Sequence, residues 1–226
     1  MAATRELKGC PLLDLGVHTC HLGISPEAQR CFDSGLVQFW GFNHEDAAAH
    51  FEDCLSLSPS CIPALILQAF CFAPNYNNPT GLDIDHGAAL LKDAHHIKHN
   101  KPLWKALLDA ACLRFKPLAE LEERNALYCE AMAKVADAYP HDAEVATLYV
   151  ESIMNKRPWA LWPSKEEFSK CREARLAPPS VHPETLLIGE LLDEGVKRWP
   201  KHPGLLPLTI HYWELSPTPG ILQYRG

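Results

Sequence analysis

The sequence lacks the short motifs that identify several large classes of protein. No stretch approaches the run of about 18 apolar residues needed to span a membrane. Its Lys and Arg residues are scattered, and the net charge is -7, which argues against bulk electrostatic binding to nucleic acid. It contains no GxSxG nucleophile motif, no CxxC pair and no glycine-rich phosphate loop. No segment alternates apolar and polar residues over a useful length, so we predict no β-sheet.

Cysteine, by contrast, is abundant: the chain has nine, an odd number. Most lie where a helix needs a small apolar side chain, as at Cys54, Cys112 and Cys129. We interpret them as reduced packing thiols of a cytoplasmic protein. The first sixteen residues, MAATRELKGCPLLDLG, carry charges and no long apolar core, so they do not resemble a secretory signal.

Apolar periodicity of three and four residues predicts two helices between Pro26 and Ser60. Ser25 precedes Pro26 as a cap residue, and Asn43 is predicted to cap the second helix. Ser58-Pro59 ends the second helix, because the residue before proline is pushed out of helical geometry.

The same periodicity predicts further helices along the chain, at residues 62–72, 84–99, 103–115, 118–139, 142–153, 184–199 and 202–215. We therefore predict an all-α protein with an irregular lead-in at residues 1–25, a helical repeat domain at 26–215 and a short tail at 216–226. Two insertions, at 73–83 and 157–182, interrupt the repeats. Pro59, Pro140 and Pro200 each follow one helix and precede the next, but their spacing is uneven.

The helical pair resembles a tetratricopeptide repeat, whose period is about 34 residues. Its signature positions are matched by Gly35, Ala47, Phe51, Cys54 and Pro59. The phrase FNH at 42–44 and the phrase PNYN at 74–77 are similar to those of a less-studied subgroup of these proteins, although Ala73 replaces an expected glycine. The resemblance implies an irregular α-α superhelix of antiparallel helix pairs with a concave groove.

Such arrays are usually non-enzymatic scaffolds, so the resemblance implies a protein or peptide partner held on the concave face. It places Phe32, Leu36 and Leu67 where carboxylate-binding members have amide and ammonium groups. None of these three side chains can donate a hydrogen bond, so we expect no binding of acidic C-terminal tails.

The last predicted helix, at 202–215, looks like a first helix without its second helix. Members of the subgroup tend to continue beyond this point, so the chain resembles a C-terminally shortened form. Leu206, Ile210 and Trp213 are predicted to pack inwards. Leu205, Leu208 and Tyr212 make the outer face too apolar for a capping helix, so it would be an uncovered apolar edge. We expect self-association through this segment.

An alternative is a small-ligand or metal-dependent enzyme with a site at the lead-in histidines and the Asn75–Asn78 loop. Residues of the insertions and the lead-in are the candidates, since loops that depart from a repeat often carry function. The candidate binding residues are His18, His21, His44, Asn75, Tyr76, Asn77, Trp159 and Trp162. Local packing is the competing interpretation for the loop residues, and we favour it for the two tryptophans.

The histidine clusters by themselves do not indicate a metal. The lead-in combines His18, Cys20 and His21, but a structural zinc site needs four ligands with closer pairing. His95, His96 and His99 form HHxxH, which lacks the glutamate general base of HExxH proteases. We therefore expect no metal and no cofactor, and no catalytic residue is assigned.

Overall fold

The computed structural model describes residues 18–92, 94–98, 101–116, 119–176 and 179–217. Across these ranges the regular structure is helical, with ten α-helices, one 3₁₀ turn and no strand. The all-α prediction is confirmed. Within the same ranges, no helix is both long and apolar enough to cross a membrane.

The first pair consists of α1 (Pro26–Trp40) and α2 (His44–Leu57). Ser25 caps α1 as predicted, because its Oγ accepts a hydrogen bond from the Ala28 amide at 3.2 Å. The prediction for Asn43 is wrong in one respect. Asn43 precedes α2, but its side chain makes no cap bond and donates instead to Gln38 and Asp46.

Gly35 lets the two helices of this pair approach closely. A Cβ atom at this position would lie 2.8 Å from Cε1 of Phe51, so any larger residue would push the helices apart. Ala47, Phe51 and Cys54 of α2 are fully buried at the same contact. The small and aromatic residues of the predicted signature therefore act as packing residues.

The next elements are α3 (Ile62–Phe70), α4 (Ile84–Leu91), a 3₁₀ turn (Ala94–His96) and α5 (Pro102–Arg114). The helix predicted for 84–99 is too long, since α4 ends at Leu91 and His95 lies in the 3₁₀ turn. His95 there contacts α5, with its Nε2 3.4 Å from Cys112 Sγ and its Nδ1 3.8 Å from Asp109 Oδ1. His99 lies outside the described residues.

The second half of the chain contains α6 (Leu121–Ala138), α7 (Ala143–Met154), α8 (Lys165–Glu173), α9 (Pro183–Arg198) and α10 (Leu205–Glu214). Asp142 caps α7 as predicted, accepting from the Val145 amide at 3.0 Å. The second insertion contains α8, which begins with a capping box formed by Ser164 and Glu167.

Consecutive helices pack against one another, and alternate helices touch as well. The sequential contacts run through α1, α2, α3 and α4, then through α5, α6 and α7, and on through α9 to α10. In addition, α1 touches α3, α3 touches α5, and α7 touches α10. Gly195 of α9 faces Leu205, and Gly189 faces Tyr212, so α9 and α10 are antiparallel.

The inward-facing side chains form a core that leaves little open space. Phe32, Leu36 and Leu67, the residues assigned by resemblance to a groove, are buried. With neighbours from α5, α6 and α7 they line an apolar cavity of about 60 Å³. That volume is about two waters' share of liquid volume, much less than a peptide segment needs.

Candidate functional site

The two insertion loops meet at one edge of the molecule. Tyr76 of the first insertion stacks on Trp159 of the second, with ring centroids 5.3 Å apart and planes at 30°. His211 of α10 contacts both rings, and Phe42, from the α1–α2 turn, contacts His211 at 5.2 Å. We call Phe42, Tyr76, Trp159 and His211 the aromatic edge.

The backbone is strained at two of its four residues. Phe42 and Trp159 both have φ of 59°, in the left-handed region that bulky side chains rarely adopt. Strain of this kind costs about 1–3 kcal/mol per residue and is concentrated at functional sites. Here the strained conformations bring Phe42 and Trp159 into contact with His211.

A buried ion pair between α5 and α7 anchors the first insertion. Arg114 at the end of α5 and Glu151 of α7 are nearly inaccessible, and their side chains are joined by bonds of 3.2 and 3.3 Å. The Arg114 Nη2 also donates to the Pro74 carbonyl at 2.6 Å, which anchors the loop. Burial opposes the charge on Arg114, but Glu151 outweighs it and the pKa of Arg114 is raised.

His44 lies between the aromatic edge and the ion pair. Its Nε2 is 3.4 Å from the Asn75 Nδ2, and its ring contacts those of Phe39 and Phe42. Burial disfavours the imidazolium and lowers the pKa of His44 to about 4, a shift that Glu151 opposes and Arg114 reinforces. His44 is therefore neutral at physiological pH.

A polar cavity of about 170 Å³ lies between the first insertion and the turn after α7. Three amide side chains line it, from Asn75, Asn125 and Asn155, together with Glu122 and Lys156. The Asn125 Nδ2 donates to the Asn155 backbone carbonyl at 2.8 Å, which fixes the wall. The cavity has room for several water molecules or a small polar ligand.

A separate cluster contains His18, one of the lead-in histidines. Its Nε2 lies 2.6 Å from Glu144 Oε1 in the first turn of α7. His202, in the turn before α10, approaches the same oxygen with its Nε2 at 3.0 Å, and Trp40 Nε1 donates to Glu144 Oε2 at 2.9 Å. We call His18, Trp40, Glu144 and His202 the closing cluster, because it joins the start of the described chain to its last helices.

Glu144 is held as a carboxylate in this cluster. Burial alone would raise the pKa of Glu144, but the hydrogen bonds from His18 and His202 outweigh it and lower the pKa to about 2. The backbone of Gly204 packs against the Trp40 indole at the same place, where a Cβ atom would lie 2.5 Å from Cδ2 of Trp40.

The predicted site residues therefore fall into several groups. One group lies where the two insertions meet and contains His44, Asn75, Tyr76 and Trp159. His18 belongs to the closing cluster. His21 is exposed and belongs to neither group, and Asn77 is exposed but its backbone amide donates to Asn75 Oδ1 at 3.0 Å. Trp162 packs on α10, stacking on Trp213 at 5.7 Å. The lead-in histidines His18 and His21 do not line the polar cavity that Asn75 of the Asn75–Asn78 loop lines.

Sequence reasoning missed the charged and imidazole groups that join distant parts of the chain. Arg114, Glu151, Glu144 and His202 look in sequence like ordinary polar positions of helices and turns. Their partners lie 37 to 126 residues away, so no local spacing indicates them. The one available signal was the pair of carboxylates seven residues apart on the otherwise apolar face of α7.

The eight cysteines in the described ranges are all free. Cys54 is buried in the first helical pair, whereas Cys112 and Cys129 are half-buried. Burial raises the pKa of the Cys112 and Cys129 thiols, so both thiols remain protonated at neutral pH.

Comparisons with known proteins give no relative: neither the models of protein families, nor the curated proteins, nor the solved structures contain a match.

Proposed function

We propose that the protein is a non-enzymatic interaction module built as a tetratricopeptide-like array of helix pairs. The order of helix contacts supports this, because alternate helices touch in addition to neighbours, as in stacked helix hairpins. The close contact between Gly35 and Phe51, at the positions that resemble the repeat signature, supports it further.

The observation that carries the proposal is the exposed face of α10. Leu206 and Ile210 are 50% and 59% exposed, and the half-buried Trp213, which stacks on Trp162, ends a stripe with the i, i+4, i+7 spacing of a helix-packing face. The prediction had the two faces reversed: Leu205, Leu208 and Tyr212 are buried, because Leu205 and Tyr212 pack against Gly195 and Gly189 of α9. We call Leu206, Ile210 and Trp213 the α10 stripe.

The occupant proposed for the α10 stripe is an amphipathic helix of another protein. In the described part of the chain, each first helix of a pair packs against a second helix. These pairs are α1 with α2, α3 with α4, α5 with α6, and α7 with α9. For α10 no such helix is described. A partner helix with apolar residues at the same spacing would complete the pair.

Two further leucines of the last helices are exposed, Leu186 of α9 and Leu215 after α10. Exposed apolar side chains mark interaction surfaces where they are contiguous. By contrast, the apolar cavity lined by Phe32, Leu36 and Leu67 is too small for a peptide, so we propose the stripe rather than the concave face.

Affinity isolation with three forms of the protein tests this proposal. The wild type, the double variant Leu206→Glu/Ile210→Glu and the control Leu57→Glu are compared, since Leu57 is 45% exposed on α2. We expect one partner to be enriched by the wild type and the control and lost from the double variant. The isolated partner should bind the purified wild type at micromolar or better Kd. Equal recovery with all three forms would reject the α10 stripe.

A second candidate function is the binding of a small polar ligand between the two insertions. It is favoured by the 170 Å³ polar cavity and by the strained aromatic edge beside it. A fragment screen, read out by NMR shifts of amide groups, tests it. Lys156→Met is the variant that alters the wall of the cavity. Hits that shift Asn125 and Asn155 and weaken in the variant would support it, whereas a screen without such hits would reject it.

A further inference from the structure

The closing cluster has the composition of a metal site that the sequence does not indicate. His18 Nε2, a carboxylate oxygen of Glu144 and His202 Nε2 all lie within 4.8 Å of one another. We propose that His18, Glu144 and His202 bind one divalent first-row transition-metal ion, of which zinc is the first candidate. Two imidazoles and one carboxylate are the protein ligands of many catalytic zinc and non-haem iron sites.

The distances between donors suit such an ion after a small movement. Metal–nitrogen and metal–oxygen bonds of about 2.0–2.2 Å place adjacent donor atoms about 3.4 Å apart in a tetrahedral site. His202 Nε2 is 3.0 Å from Glu144 Oε1, and His18 Nε2 is at 2.6 Å, so both must separate from the carboxylate, His18 by about 0.8 Å. His18 lies on the segment before α1 rather than on a helix, which suits it to the larger movement.

The tautomer of His202 sets the main cost of binding. In the metal-free form the Gly204 amide donates to His202 Nδ1 at 3.1 Å, so the ring proton sits on Nε2 and points to Glu144. An ion takes the place of that proton, which moves to Nδ1, so the Gly204 amide loses its acceptor and must turn away, and this loss is the main cost. Thr147 Oγ1 lies 3.4 Å from Nδ1 and already donates its own proton to the Ala143 carbonyl, so it can accept the Nδ1 proton.

The three residues leave at least one coordination position of the ion without a protein ligand. Of the three, Glu144 also lines the apolar cavity, together with Asp142 and Cys20. Three protein ligands and an open position are the arrangement of exchangeable metal sites, whereas structural zinc has four closed ligands. The site is thus suited to an ion that also holds water or a small anionic ligand.

Zinc and cobalt titrations of the full purified chain test the proposal. After chelation and gel filtration, we expect one equivalent of Zn²⁺ to bind, measured by calorimetry and by metal analysis. His18→Gln is the main variant, because its side chain is partly exposed and lies outside the helices. It should weaken binding at least about 100-fold, the upper end of the losses seen on changing outer-shell partners alone. His21→Gln, an exposed histidine of the same segment, is the matched control and should bind like the wild type.

The Co²⁺ spectrum separates this site from binding by cysteine. Nitrogen and oxygen ligands give d–d bands without the thiolate-to-metal charge-transfer band that a cysteine ligand adds, and Glu144→Gln should abolish them while circular dichroism shows the fold retained. No stoichiometric binding at 100 µM Zn²⁺, a thiolate band, or unchanged binding in both His18→Gln and Glu144→Gln would each overturn the proposal.

Discussion

At the scale of single residues, the structure depends on a few buried charges that satisfy one another. Arg114 bridges Glu151 and the Pro74 carbonyl and lies over the rings of Phe70 and Tyr128, at 4.6 and 5.0 Å. A carboxylate, a carbonyl and two aromatic faces therefore compensate the guanidinium charge, while its buried Nε makes no hydrogen bond with the described residues.

Removal of one partner of this pair should be strongly destabilising. Glu151→Ala leaves the Arg114 charge buried without its carboxylate, which we expect to cost about 3–5 kcal/mol in the free energy of unfolding. Urea denaturation measures the loss. Glu123→Ala, which removes the partner of Lys116 in an exposed pair, is the control and should cost less than about 1 kcal/mol. Similar losses in the two variants would contradict this account of the ion pair.

His44 should make stability depend on pH in the mildly acidic range. Its pKa is about 4 in the folded protein and near 6.5 when unfolded, so the unfolded chain binds more protons between these values. Stability should therefore fall as the pH drops from about 6.5 to 4, by at most about 3 kcal/mol at 1.36 kcal/mol per unit.

The comparison of His44→Gln with the wild type, by urea denaturation at several pH values, isolates this contribution. The variant should lose most of the slope between pH 6.5 and 4, whereas His21→Gln should keep it because His21 is exposed. An unchanged slope in His44→Gln would show that other groups control the acid response.

At the scale of helices, the sequence predicted elements well where the pattern is local. The start of α1 follows from Ser25 and Pro26, and the cap of α7 follows from Asp142. The helix at 84–99 was overextended for a physical reason. His95 makes tertiary contacts with Cys112 and Asp109 of α5 in a 3₁₀ turn, and helix propensity does not report such contacts.

The α10 stripe should control self-association when no partner is present. At high concentration we expect the purified wild type to associate reversibly, because Leu206 and Ile210 are exposed on one helix face. Leu206→Glu should shift sedimentation profiles towards monomer, while Leu57→Glu, on a different helix, should not. A monomeric wild type at high concentration would contradict this prediction.

At the scale of the whole molecule, contacts that the sequence did not indicate join the start of the described chain to its last helices. His18 and Trp40 meet Glu144 across separations of 126 and 104 residues. Periodicity and caps describe single elements and neighbouring pairs, so they predicted the helices. They could not predict which distant residues share one carboxylate oxygen.

Gly204 is the residue whose change should disturb this closure most selectively. A Cβ atom there would lie 2.5 Å from Trp40 and 2.9 Å from Thr147 Cγ2, so Gly204→Ala must displace the indole. We expect a loss of about 1–3 kcal/mol in thermal or urea unfolding. Gly41→Ala, whose Cβ meets only helix carbonyls at 3.3 Å or more, is the control. Equal effects of the two changes would argue against a tight closure at Gly204.

The central claim is that α10 offers an unpaired face to the helix of another protein, and photo-crosslinking tests it most directly. A benzophenone amino acid placed at Ile210, or at Leu57 as the control, is activated in cells that express the protein. The account predicts one main adduct from position 210, through a partner segment with apolar residues spaced i, i+4 and i+7, which is lost when Leu206→Glu is added. Equal adducts from both positions, or none from position 210, would contradict it.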